Sequence, residues 1–266
     1  MRIALGIEYD GSGFNGWQAQ QPGVRTVQSA VEQALSTVAA HPVSVVCAGR
    51  TDAGVHAVGQ VVHFDSDASR SSRAWTLGTN TLLPPDVSVR WAQPVTETFH
   101  ARFSATARQY RYIILNQPTR PALLRNRVSW QMRPLDIARM NAAATHLIGE
   151  HDFTAYRAQQ CQSKSPVRVI RHLTVTRHGA YLSIDVLANA FLHHMVRNIA
   201  GVLMTIGQGD REPDWARAVL EGRDRKLGGV TAPPQGLCLV AVEYPAEFAV
   251  PHASEAADFM EQPAIG

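Results

Sequence analysis

Apolar and polar positions alternate along Arg2–Tyr9, the period of a strand, and Asp10-Gly11-Ser12-Gly13 follows as a turn. Thr26 can cap a helix in which Val27, Ala30, Val31, Ala34, Leu35 and Val38 share one face. Val43–Cys47 and Val58–Phe64 read as strands, Ser72–Leu82 as a helix and Val87–Ala92 as a further strand. A second series of the same kind starts at Gln109–Leu115. It continues with a helix near Leu135–Ile148, strands at Arg168–Thr176 and Tyr181–Leu187, helices at Phe191–Ile206 and Asp214–Glu221, and a strand at Leu237–Tyr244. Between them Tyr156–Pro166 is polar and has neither period, so a long loop is expected.

The two series predict an α/β (α+β) protein of two similar subdomains, 1–104 and 105–248, followed by a tail at 249–266. The short strand spacings favour antiparallel hairpins over repeated βαβ crossovers, with helices flanking mostly antiparallel sheets.

Composition narrows the class. Of 266 residues, 45% are apolar and 18% charged, the balance of a folded protein with a substantial core. The opening "MRIALGIEYDG" meets an acid at Glu8 and has no signal-peptide pattern, and no apolar run nears the ~18 residues of a membrane span. Cys47, Cys161 and Cys238 are scattered without CxxC spacing, a poor disulfide framework and a poor zinc site. These features predict a cytoplasmic protein. The net charge is only +3, yet its distribution is uneven. From Thr98 to Leu135 there are seven arginines and no acid, with Phe99, Phe103, Tyr110, Tyr112 and Trp130 interleaved, whereas Glu243–Glu261 is acidic. Basic residues mixed with aromatics suit a nucleic-acid backbone with bases to stack, and a solvated strand face is the plainer alternative.

Phosphate-binding loops, dinucleotide fingerprints, zinc-protease helices and serine-nucleophile elbows are all missing from the sequence. The adjacent His193 and His194 are expected to point to different faces of a helix, which argues against a shared metal. In "FLHHMVRNIAGVLMTI" the helix is apolar nearly all round, and Arg197 carries its only formal charge. Such a guanidinium needs an anionic partner, either to lock the core or to orient a reactive carboxylate. Asp52, between Gly49 and Gly54 in "CAGRTDAGVHAVGQVVHF", is the natural candidate. It could instead bond its own turn, as loop aspartates do. An arginine contact would keep it ionised, as a nucleophile or base.

Five segments together resemble the TruA family of tRNA pseudouridine synthases: "YDGSGFNGWQAQ" (Tyr9–Gln20), "AGRTDAGVHA" (Ala48–Ala57), "FHARFSATARQYRY" (Phe99–Tyr112), "FLHHMVRNIAG" (Phe191–Gly201) and "QGLCLVAVEYP" (Gln235–Pro245). The resemblance implies the pseudouridine synthase fold and isomerisation of uridines 38, 39 and 40 in the tRNA anticodon stem-loop. No cofactor and no metal are implied, and the protein is expected to act as a homodimer holding RNA across both subunits. It makes Asp52 the catalytic residue and Arg197 its charge partner, lays Tyr110 against the target base, and gives Arg50 the task of entering the space that the extruded base leaves. It assigns RNA contact also to Arg70, to Phe99, His100, Ala101, Arg102 and Phe103, and to Gln160, Cys161, Gln162, Ser163 and Lys164. Basic positions expected near 116–119 are here Gln117 and Pro118. Rival readings are a non-catalytic RNA-binding module and an enzyme acting on a free nucleoside.

Overall fold

The computed structural model describes residues 1–251. In chain order its elements are β1 (Arg2–Tyr9), α1 (Val27–Ala39), β2 (Val46–Cys47), β3 (His56–Asp65), β4 (Val87–Val95), β5 (Ala107–Asn116) and β6 (Ser129–Gln131). There follow α2 (Ile137–Thr145), β7 (Gly149–Asp152), β8 (Val167–His178), β9 (Tyr181–Ala188), α3 (Met195–Gly207), α4 (Trp215–Gly222) and β10 (Leu237–Glu243). The mixed α/β class and the mostly antiparallel pairing are as expected.

Two compact units are present, one formed by Met1–Arg108 with the segment from Cys238 onward, the other by Gln109–Leu237. The boundary therefore falls after Arg108 instead of the expected 104, and the last strand belongs to the first unit, not to the second. The difference arises because β10 runs parallel to β3, with Cys238 opposite His56 and Leu239 opposite Ala57, so residues far apart in sequence close the first unit. Local periodicity carries no information about such a pairing. Of the expected tail, residues beyond Pro251 lie outside the described part.

In the first unit the strand order is β4-β1-β3-β10, with β2 also on β3. Antiparallel registers such as Leu5 with Val62 and Leu5 with Ala92 put β1 in the interior. Positions 3 to 7 are all buried, so β1 is covered on both faces instead of alternating. The cap of α1 is the expected Thr26, whose hydroxyl accepts from Ser29 N at 3.3 Å, and Val27, Val31, Ala34 and Leu35 form its buried face. The helix expected at Ser72–Leu82 is instead widened into a π-helical turn at Ala74–Gly78, which sets Trp75 edge-on to Phe64, 5.1 Å between ring centroids.

The second unit orders its strands β5-β9-β8-β7, with β6 added in parallel to β5. Both β6 and β7 are too short to leave a periodic trace in the sequence. Asp136 caps α2 by accepting from Arg139 N at 3.1 Å. The helix α3 is buried almost throughout, as its composition requires. It begins at Met195, not Phe191, because His194 adopts φ +63°, left-handed backbone that a helix cannot continue. Among the described residues no helix is long and apolar enough to cross a membrane.

Candidate active site

Asp52 lies half-buried in the connection between β2 and β3. β3 is apolar except for a few positions, and Gln60 is completely buried on it. A buried carboxamide needs partners, and Gln60 finds them in the loop: its Nε2 donates to Gly49 O at 2.6 Å and its Oε1 accepts from Gly49 N at 3.4 Å. Thr51, also buried, shares a hydrogen bond of 2.8 Å with the hydroxyl of Tyr9. The residues flanking Asp52 are therefore fixed by side chains from β1 and β3.

The segment Gly11–Trp17 closes over the same loop. Trp17 N donates to Thr51 O at 3.0 Å and Gly54 N donates to Phe14 O at 3.3 Å. Gly16, at φ +88°, comes so close that a Cβ there would sit 2.7 Å from Thr51 O and 3.1 Å from Ala53 N. Gly54, at φ +78°, supplies the turn after Asp52. Thus "YDGSGFNGW" and "AGRTDAGVHA" are two sides of one construction. We expect Gly16→Ala and Gly23→Ala to share about 1–2 kcal/mol of left-handed backbone strain. Gly23 also has positive φ but has nothing within 4 Å. Only Gly16→Ala should lose about 1–3 kcal/mol more, from displaced loop backbone, and thermal denaturation of the pair measures the difference.

Arg50 is exposed beside this loop, whereas Cys47 just before it is half-buried. Burial pushes the Cys47 thiol up to about 11, against the pull of the Arg50 and Arg102 guanidiniums. A thiol of that kind is protonated near neutral pH and is not a nucleophile.

In the second unit β5 is buried along most of its length, on both faces. Tyr110 and Tyr112 are on one face, and Arg111, on the other, meets Asp185 of β9 at 2.7 Å in a buried ion pair. Tyr110 is only 7% exposed and stands edge-on to Phe191 at 5.1 Å, which holds its ring. The Tyr112 hydroxyl donates to Pro233 O at 2.9 Å, and burial holds it protonated well above the usual phenol range. Arg197, half-buried on the first turn of α3, donates from Nε to Ala232 O at 2.8 Å. Its neighbour Asn198 is buried and bonds Tyr156 O at 2.7 Å. His193 and His194 precede the helix, and their rings lie 4.1 Å apart. The expectation that they face different sides of a helix fails because the chain is not yet helical there.

A family model described as tRNA pseudouridine synthase matches residues 6–104 and 143–245. The chain belongs to the TruA family of tRNA pseudouridine synthases. It is 61% identical to tRNA pseudouridine synthase A of Alcanivorax borkumensis over 94% of each chain. It is 62% identical to that of Pseudomonas aeruginosa over 94% of this chain and 88% of the relative. For the Nitrosococcus oceani protein the identity is 60% over 96% and 98%.

Within this TruA-family chain the residues expected to touch RNA separate into two groups. Phe99 and Ala101 are fully buried. Phe99 packs against Tyr244 and Phe248 at 5.0 and 5.3 Å, so these two side chains support the segment instead of lining its surface. Arg108 is likewise interior, donating to Ala48 O, Arg102 O and Ala105 O at 3.0, 2.6 and 3.1 Å. It ties the Phe99–Phe103 turn to the Asp52 loop. With Arg111 also buried in an ion pair, two of the seven arginines in the basic run are interior.

Outward from the same turn, Phe103 is 75% exposed and stacks on His100 at 4.3 Å, with the Arg102 guanidinium 5.5 Å from its ring. His100 Nδ1 accepts from Arg102 N and Phe103 N, both at 3.2 Å. Its pKa is lowered by burial and by Arg2, and that of His63, packed against it, falls to about 4 for the same reason of burial, with His100 and Arg2 adding to it. The pair is therefore neutral near pH 7. Arg70 is exposed, its Nε donating to Val38 O at 3.1 Å. In the loop after Ala158, Gln160, Gln162 and Lys164 are exposed while Cys161 and Ser163 are half-buried. Arg168 reaches into that loop, donating to Ser163 Oγ at 2.7 Å and Ser165 O at 3.0 Å. The roles of Gln60, Tyr9 and Asn198 are not foreseeable from residue type or motif alone. Gln60 alone left a legible signal, a carboxamide inside the apolar run of β3.

Proposed function

We propose that the protein isomerises uridine to pseudouridine at positions 38, 39 and 40 of the tRNA anticodon stem-loop, with Asp52 as the catalytic residue. Family membership makes the chain a tRNA-modifying isomerase. The finer reading is supported by how the Asp52 peptide is built: a half-buried carboxylate on a loop clamped by Gln60 at Gly49 and by Tyr9 at Thr51. A carboxylate that must meet one carbon of an extruded nucleotide gains from such fixation, since misplacement by about 1 Å can cost roughly 100-fold in rate.

The reaction breaks the C1′–N1 bond, turns the uracil, joins C1′ to C5, and moves a proton from C5 while N1 gains one. Substrate and product have the same formula, so no external oxidant, reductant or energy source enters. The target base must first leave its stack, at a cost of a few kcal/mol that protein contacts offset. Arg50 is the residue assigned to the vacated space. Tyr110 offers the uracil a flat ring, held edge-on by Phe191. Arg197 is assigned as the charge partner of Asp52. Arg70, the His100–Phe103 turn and the 160–164 loop are assigned to the RNA, which is read by backbone and shape more than by base edges. Action as a cytoplasmic homodimer belongs to the same reading.

The test is to map pseudouridine in tRNA from cells lacking the protein, then add purified protein to that tRNA. Loss at 38–40 and recovery on addition are expected. Retention of all three modifications without the protein overturns the positional assignment.

A further inference from the structure

Arg197 is steadied by a stretch of chain with no regular structure of its own. Residues 228–233 cross α3 where Gly201 leaves room, since a Cβ at Gly201 would collide with the Val230 carbonyl oxygen. There the backbone of Ala232 and Arg197 makes a reciprocal contact: Ala232 N donates to Arg197 O at 3.1 Å, and Arg197 Nε donates to Ala232 O at 2.8 Å. The second of these bonds restrains the guanidinium, so the position of Ala232 O sets where Arg197 can point.

What fixes Ala232 is a polar knot one residue away. Thr231 Oγ1 donates to Asn198 Oδ1 at 2.7 Å and accepts from Arg225 Nη2 at 2.8 Å. Arg225 Nη2 also donates to Asn198 Oδ1 at 3.0 Å, and its Nη1 donates to Gly229 O at 3.0 Å. Asn198 is itself held through Nδ2 on Tyr156 O. Irregular chain on a surface is ordinarily the first to open. Here one helix supplies both the anchored residue, Arg197, and the anchor, Asn198, next to each other in sequence and on different sides of α3.

We propose that Thr231 and Arg225 are positioning residues for Arg197, acting through the 228–233 strap whose Ala232 carbonyl holds the guanidinium. The proposal rests on the role given to Arg197 above. Thr231 touches no reacting atom; it acts by holding the strap against Asn198.

The test compares Thr231→Val with Thr231→Ser in the full-length protein, by two measurements. The first follows the Nε–H signal of Arg197 by NMR of 15N-arginine protein, assigned with Arg197→Lys. We expect slow solvent exchange in the wild type and in Thr231→Ser, and at least tenfold faster exchange in Thr231→Val. The second is steady-state kinetics on tRNA. For Thr231→Val kcat should fall roughly tenfold with KM within about twofold, and Thr231→Ser should restore it. A merely structural threonine would lower the melting temperature and leave both the Nε–H exchange and the kcat per folded molecule unchanged. That result overturns the proposal. A wild type with a protected Arg197 signal but no isomerase activity overturns the assigned reaction and leaves the strap standing.

Discussion

Asp52→Asn is expected to lower kcat for pseudouridine formation by about 10⁴-fold or more, the scale seen when a reacting group is removed and binding is kept. Asparagine has the same shape, cannot act as a carboxylate nucleophile, and is a poor base. The loop should survive the change because its restraints are elsewhere: Gln60 on Gly49, Tyr9 on Thr51, Trp17 N on Thr51 O and Gly54 N on Phe14 O. Tritium release from uridine labelled at C5 in tRNA measures the chemistry, and a gel shift measures the binding. Binding within roughly threefold of wild type is expected, since the phosphate contacts that dominate affinity are untouched. A variant that modifies 38–40 at the normal rate removes Asp52 from the mechanism. Tight binding without turnover separates an enzyme from a passive RNA-binding module.

The second large effect is expected from Arg197→Ala. If its charge serves the reacting carboxylate, kcat should drop by about 10²–10³-fold, as when one preorganised electrostatic contact is deleted. Stability should fall as well, because Ala232 O loses a charge-assisted donor, a contact of about 1.5–3 kcal/mol. Arg197→Lys keeps the charge but not the planar fork, and should recover stability only in part. The double variant with Asp52→Asn decides the pairing. Coupled residues give a combined loss well short of the product of the single losses, whereas independent ones multiply. Equal activity and melting temperature in Arg197→Ala and wild type would refute both roles.

The basic, aromatic stretch from Thr98 to Leu135 shows how far residue type alone can be trusted. Its chemistry was legible as a nucleic-acid signal. Yet Phe99 and Ala101 are interior, Arg108 is spent on three carbonyls, and Arg111 is paired with Asp185. Exposure at Arg102 and Phe103 is a property of the turn closed by Ser104, whose Oγ accepts from His100 N at 2.9 Å. No periodicity distinguishes Phe99 from Phe103; the packing of Phe99 on Tyr244 and Phe248 does. A histidine pair expected to straddle a helix lies instead in the turn before it, since left-handed backbone at His194 delays the helix to Met195.

By itself the sequence determined the α/β class, the main elements, the burial of α3 and the motifs that carry family membership. These rest on short-range rules: side-chain period, capping at Thr26 and the isolation of a single charge in an apolar helix. Only the tertiary structure decided that β10 completes the first unit beside β3, and that the Gly11–Trp17 segment and Gln60 build the Asp52 loop. It alone decided that Ala232 and Asn198 steady Arg197 and its strap. Apart from Gln60 and Gly49, eleven positions apart, those contacts join residues tens of positions apart, and hydrogen bonds formed across such distances follow from how the chain packs, not from any local pattern along it.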